Sequence, residues 1–270
     1  TMYTHAAIGA RNAQQRPNVQ NFYLGGPAVT ALYKNWFDAL AKHAINNNLK
    51  YDFFSWHRYD HQLDVFEQDL VQVRSWLARY PQLAPTLELH VTEWGSDSEN
   101  HPAYDNSYGA AHTVAGAMTL NQLADKAFVF EIEDGKDPNN QEYWGRWGLL
   151  THQDFGANPK PRYQGLIFLD RIGTQRLSVT GQGTWVKAIA ARNDAGNTQL
   201  ILANADVNNT NSELVPITFT NLEPGTYSLK LEYFDGRTQG IKLITTTNIA
   251  RAEVPMTPNS IVFGELVRVE

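Results

Sequence analysis

The period of the hydrophobic pattern changes once along this chain, near Leu177, and that change limits the fold to two kinds of core. Before it, short apolar segments alternate with longer stretches of helical spacing. Strands are expected at Val19–Leu24, Tyr51–Trp56, Leu87–Gly95 and Lys126–Ile132. Helices are expected from Thr1 to Arg16, around Ala31–Asn46 with Leu32, Trp36, Leu40 and Ile45 as apolar positions, from Leu63 to Tyr80, over Tyr108–Leu123 and over Tyr163–Ile172. Pro17 and Pro81 end two of them, because proline breaks the helical pattern. Strand and helix in turn, four times over, predict a parallel sheet with right-handed crossovers, either doubly wound or part of a barrel. No Gly-rich phosphate loop follows any strand, which disfavours a dinucleotide-binding sheet.

After Leu177 the helical spacing is gone and short alternating strands take over. They are expected at Thr184–Arg192, Thr198–Asn204, Leu214–Thr220, Thr226–Tyr233, Ile241–Thr246 and Ile261–Val269. Turn signals separate them, among them Glu223-Pro224-Gly225 and Asp235-Gly236. This is the pattern of an all-β sandwich. The expected division is 1–174 for the α/β part and 175–270 for the sandwich.

Two cores require length and apolar content, and 270 residues with 42% hydrophobic and 19% charged side chains supply both. The net charge of -6 leaves no basic face to neutralise phosphates, so nucleic acid is not an expected partner. With no Cys, disulfides and thiolate metal sites are excluded. The same absence accords with a secreted or periplasmic protein. No run of eighteen apolar residues is present, so no membrane-spanning helix is expected. Thr1 to His5 lack the basic start and apolar middle of a signal peptide, and the first helix begins without a capping segment before it.

The stretch Leu87 to Gly95 reads as a strand ending in an acid, an aromatic and a glycine. A carboxylate at the carboxyl end of a parallel strand is where an α/β barrel keeps its chemistry. The competing reading is a strand-end Glu93 that simply meets solvent. Strict alternation puts Leu87, Leu89, Val91 and Glu93 on one face and hides Glu88 and His90 behind it, unless a bulge resets the register. The 7 Trp, 12 Tyr and 12 Phe offer the ring faces that sugar clefts use for stacking, although most such rings in any protein are core. Asp134 and Asp137 raise the thought of a cation, but an acidic loop is more often just solvated.

Five runs occur in one order: Asn21-Phe22-Tyr23-Leu24-Gly25-Gly26-Pro27-Ala28, Asp52-Phe53-Phe54-Ser55-Trp56-His57-Arg58-Tyr59, Val91-Thr92-Glu93-Trp94, Trp147-Gly148-Leu149-Leu150-Thr151 and Pro159-Lys160-Pro161-Arg162-Tyr163. Together they make residues 1–172 resemble glycoside hydrolase family 39, the β-xylosidase and α-L-iduronidase group of the large retaining clan. The resemblance implies a (β/α)8 barrel of which this chain supplies strands five to eight, followed by the sandwich. It implies Glu93 as the nucleophile, His57 and Tyr59 lining the sugar pocket, Trp94 as a pocket wall, and Trp144 or Trp147 as a stacking ring. It also implies a general acid in an Asn-Glu-Pro motif on strand four, and no such motif occurs here. That acid is expected upstream, on the N-terminal half of the barrel, as a cleaved fragment, a separate chain or simply a preceding stretch of the same polypeptide.

Retaining hydrolysis needs two carboxyl groups about 5 Å apart, one ionised and one protonated, so a lone Glu93 cannot complete it. Four parallel strands alone would also leave two long edges unpaired. Two departures from the family bear on sugar specificity. Its usual strand-eight Trp is aligned here with Phe130, beside Glu131, and Gly95 follows Trp94 where the xylosidase branch has Asn. The expected activity is retaining hydrolysis of a poly- or oligosaccharide, with no metal or organic cofactor. The alternatives are a catalytically inactive glycan-binding protein and a structural scaffold on the same fold.

Overall fold

The structure is a computed structural model and describes residues 1–136, 138, 139, 141, 145–183 and 185–269. The chain forms two compact units, Thr1–Gly95 with Thr119–Phe130, and Ser96–Met118 with Glu131–Glu270.

In the first unit strand and helix alternate: α1 (Met2–Gln14), β1 (Gly25–Val29), α2 (Lys34–Asn46), β2 (Phe53–Tyr59), α3 (Asp64–Leu77), β3 (Glu88–Gly95), the end of α4 (Ser107–Leu123) and β4 (Lys126–Val129). The strands form one parallel sheet in the order β1-β2-β3-β4. Two acids ahead of strands tie the sheet's amino edge: Asp52 Oδ2 accepts the Leu24 N–H and Asp125 Oδ2 the Leu89 N–H, each at 2.7 Å. Tyr23, just before β1, has its ring 5.4 Å from Lys126 Nζ at the start of β4.

The first strand is not where the apolar run placed it. Val19–Leu24 is irregular and the strand is Gly25–Val29. Gly25 pairs with Phe53, and a Cβ at Gly25 would lie 2.1 Å from the Phe53 carbonyl oxygen. The glycines that read as a turn are what lets two backbones approach. The buried face of α2 also differs from expectation. Phe37, Ala41 and Ala44 are buried, whereas Trp36 is 53% exposed. Two alanines let the helix lie close to the sheet, and Phe37 then meets Phe54 edge-on at 4.9 Å. Phe66, Leu70 and Val73 of α3 and Trp56, Leu89 and Val91 of the sheet are buried, and Phe66 meets Trp94 edge-on at 6.0 Å. Each such side chain contributes roughly 1.5–3 kcal/mol by leaving water.

The second unit carries α5 (Pro161–Asp170) and an antiparallel sandwich. One sheet has six strands, in the order β10 (Thr238–Thr245), β9 (Gly225–Tyr233), β12 (Ile261–Arg268), β7 (Thr198–Asn204), β6 (Val186–Arg192) and β5 (Gln175–Leu177). The other pairs β11 (Ile249–Met256) with β8 (Glu213–Thr220). Leu200, Leu202, Leu229 and Leu231 meet Phe219, Ala250, Val254 and Met256 between them. β5 and β11 are additions to the six expected strands. In β11 the inward positions alternate with period two but begin with Ala250 and Ala252, and Pro255 reads as a breaker. Pro255 is tolerated because this two-stranded sheet leaves β11 an edge.

Candidate active site

The carboxyl end of β2 and β3 gathers the first unit's candidate chemistry. Trp56 pairs with Val91, but the next residue, His57, pairs with Glu93, so Thr92 is the extra residue of a bulge. Its hydroxyl reaches the Trp56 carbonyl at 3.4 Å. Paired residues of parallel strands share a face. Leu89, Val91 and Trp94 therefore turn toward the helices with Phe54, Trp56 and Arg58. Glu88, His90 and Glu93 turn to the other face with Phe53, Ser55 and His57. This corrects the strict alternation that put Glu93 with Leu89 and Val91. A bulge re-aims the side chains beyond it, and here it reverses that grouping.

On that face the Tyr59 hydroxyl donates to Glu93 Oε2 at 3.1 Å, and His57 Nδ1 lies 3.2 Å from the same oxygen. Among the described residues no hydrogen bond reaches the other oxygen, Oε1. The Glu93 side chain is 33% exposed, so Oε1 has access to solvent and to a ligand. One step toward the amino end, His90 Nε2 and Glu88 Oε2 are 2.7 Å apart and Phe53 stacks on the His90 ring at 4.2 Å. These two form a paired layer beneath Glu93.

Of the residues named from sequence, the structure brings His57, Tyr59 and Glu93 together. It places Trp94 elsewhere, 3% exposed and edge-on to Phe66 of α3 at 6.0 Å. The bulge that turns Glu93 outward turns its neighbour inward, so Trp94 lines the helical core rather than Glu93's face. Phe130 follows the end of β4, and its N–H donates to the Trp94 carbonyl at 3.5 Å. Trp144 lies outside the described residues, as does Asp137. Phe128 was missed from sequence. Ala127 and Val129 pair with Val91 and Trp94, so Phe128 faces the Glu93 side, 50% exposed. The signal was present in the alternation of Phe128 and Phe130, but only the register with β3 fixes the side.

In the second unit Asp134 is not a solvated loop acid. Lys160 Nζ lies 2.7 Å from Asp134 Oδ1 and 2.6 Å from Asp105 Oδ1, and Gly148 donates its N–H to Asp134 at 2.9 Å. Arg146 pairs with the far oxygen of Asp105. Burial holds the Asp134 carboxyl above the ordinary carboxylate range, with the Asp105 charge adding to the effect and Lys160 opposing it. Lys160 and Asp134 are nearly solvent-free, so this is an internal ion pair. Among the described residues no group of three or more His, Asp or Glu is placed to hold a metal ion. A cleft of about 530 Å³ lies between the sandwich sheets. Val186, Leu200, Val215, Ile217 and Phe219 line it, and it contains no carboxylate.

A carboxylate at the carboxyl edge of a parallel sheet, held by a Tyr and a His from the next strand, defines an α/β protein with its site where such folds carry chemistry. Residues 1–234 match the model of the family described as Glycosyl hydrolases family 39, and the chain belongs to that family. Comparison with curated proteins finds no match. Among solved structures, a family 39 enzyme from Xanthomonas axonopodis pv. citri is similar at 16% identity and a TM-score of 0.72, over 99% of this chain and 63% of that one. A glucosidase from Croceicoccus marinus gives 16%, 0.76, 99% and 64%, and a monomeric β-xylosidase from Caulobacter crescentus 18%, 0.71, 99% and 65%. At these identities the likeness establishes the fold. The chain spans just under two thirds of the length of each of these structures. No helix among the described residues is long and apolar enough to cross a membrane.

Proposed function

We propose that residues 1–174 are strands five to eight of a (β/α)8 barrel, that 175–270 are its accessory sandwich, and that the whole is a retaining glycoside hydrolase of poly- or oligosaccharides. Glu93 is its nucleophile. The observation that carries this is the unequal treatment of the two Glu93 oxygens: Tyr59 and His57 hold Oε2 and leave Oε1 to attack. Family membership, the four-stranded parallel sheet and the similarity to structures about half as long again support the barrel half.

In the first step Oε1 bonds to the anomeric carbon as the bond to the leaving oxygen breaks. That oxygen takes the proton of a second carboxylic acid about 5 Å from Glu93. We place this acid on the N-terminal half of the barrel. In the second step water attacks the ester, the second carboxylate takes the water proton, and Glu93 is released. Tyr59 and His57 keep the carboxylate in the attacking rotamer. Phe128 and Phe130 offer ring faces to the sugar. A secreted or periplasmic setting fits a polysaccharide substrate.

Incubation with 2-deoxy-2-fluoro glycosides bearing dinitrophenolate, a leaving group that needs no protonation, tests the assignment. Peptide mapping by mass spectrometry is expected to find a glycosyl ester on Glu93 and none in Glu93→Gln. An ester on another residue, or inversion at the anomeric centre during turnover, overturns it.

A further inference from the structure

The carboxyl end of β2 is held from both faces. On one, His57 and Tyr59 meet Glu93. On the other, Trp56 and Arg58 converge on one carboxylate of α3, Asp69. Trp56 Nε1 donates to Oδ2 at 3.2 Å, Arg58 Nε to Oδ2 at 2.7 Å and Arg58 Nη2 to Oδ1 at 2.6 Å. Asp69 is 6% exposed and Trp56 fully buried. A two-pronged guanidinium–carboxylate contact fixes direction as well as distance.

This brace sits where the backbone ladder is weakest. β1 shifts register between Pro27 and Val29, opposite Ser55 and Trp56, and β3 shifts between Val91 and Glu93, opposite Trp56 and His57. Bulges on both sides of one strand interrupt its pairing and free its twist. The neighbouring core positions of α3 are Phe66, Leu70 and Val73. An apolar residue at 69 would continue that row, and a buried ion pair is seldom more stable than such packing. What the acid adds is orientation of the strand.

We propose that Asp69 is a positioning residue of the active site: through Arg58 and Trp56 it sets the twist of β2 so that His57 and Tyr59 reach the same oxygen of Glu93. The inference rests on the reading of Glu93, His57 and Tyr59 given above. Its test is the tautomer of His57, which Glu93 holds with the proton on Nδ1. Long-range ¹⁵N–¹H spectra of the full chain report it at neutral pH.

In the unsubstituted chain a single Nδ1–H pattern is expected, and Glu93→Ala should average it between the two tautomers. If Glu93→Ala leaves the pattern untouched, the His57–Glu93 contact is wrong and the nucleophile reading goes with it. Asp69→Asn and Arg58→Lys are then expected to give the averaged pattern with circular dichroism unchanged. Arg58→Lys keeps charge and bulk but not the fork, so a purely structural role would leave His57 as it was. A retained single tautomer in Arg58→Lys, where Glu93→Ala has lost it, overturns the proposal and spares the nucleophile. Should Asp69→Asn unfold, Arg58→Lys and Trp56→Phe decide the matter in the same way.

Discussion

His57 stands opposite Glu93 in the β2–β3 ladder although Trp56, the residue before it, stands opposite Val91. The residue left over, Thr92, decides which way the acid faces. Were Thr92 paired in unbroken alternation, Glu93 would share the helix-side face with Leu89 and Val91, and Trp94 would be turned out.

Deleting Thr92 removes the extra residue and with it the bulge, so Glu93 is expected to stay opposite His57 on the same face, with Trp94 still turned toward Phe66. Fluoro-glycoside labelling of Glu93 should survive the deletion, and its loss would contradict the β2–β3 register. Thr92→Ser keeps the residue count and should retain both stability and labelling.

Trp94 behaves as core if its neighbours are read correctly. Trp94→Ala should destabilise the chain by about 3–5 kcal/mol, the range for emptying a large aromatic site. Its indole N–H is buried and makes no hydrogen bond among the described residues. Trp94→Phe keeps a ring in the site and should accordingly cost less than Trp94→Ala. Equal losses for the two substitutions in guanidinium melts would contradict the placement.

Lys160→Met removes the cation between Asp105 and Asp134. Breaking a buried pair by losing one partner costs about 3–5 kcal/mol. The pH dependence has a definite sign. The folded-state carboxyl of Asp134 already titrates above its ordinary value, so its favourable contribution is present at low pH and lost as pH rises through the folded value. Without Lys160 that value rises further. The variant's deficit should then shrink as the pH is lowered from neutral toward mildly acid, followed by urea titration at each pH.

Asp206 gives the opposite sign in the sandwich. Burial pushes its carboxyl up, but the N–H groups of Thr210, Asn211 and Asn208 outweigh that and hold it below the usual carboxylate range. Its contribution is present above the unfolded-state value and lost as pH falls through the folded one. Asp206→Asn should destabilise at neutral pH and flatten the acid limb of the stability curve. Asp206→Ala removes the acceptor of three backbone N–H groups and should cost more than Asp206→Asn. A variant whose acid limb matches the unsubstituted chain would refute this account.

Much of the architecture was legible because it is written in period. Helical spacing and period two lie in the residues themselves, so most elements of the α/β part and the sandwich strands whose inward positions are Val, Ile or Leu could be read directly. β11 was passed over because alanine is a weak apolar signal and Pro255 looked like an end. β1 was displaced because the glycines that allow close backbone approach also punctuate turns. In both cases a neighbouring strand supplies the decisive contact, and no local pattern records it.

For the site, sequence alone determined the residue types and their order: an acid at a strand's end and a His and a Tyr two apart on the strand before. The direction of Glu93, the burial of Trp94, the exposure of Phe128 and the hold of Asp69 on β2 were decided only in three dimensions. The reason is physical. A strand's side chains alternate by a local rule, but a bulge exists only as a mismatch between two strands, and one unpaired residue there inverts every face that follows.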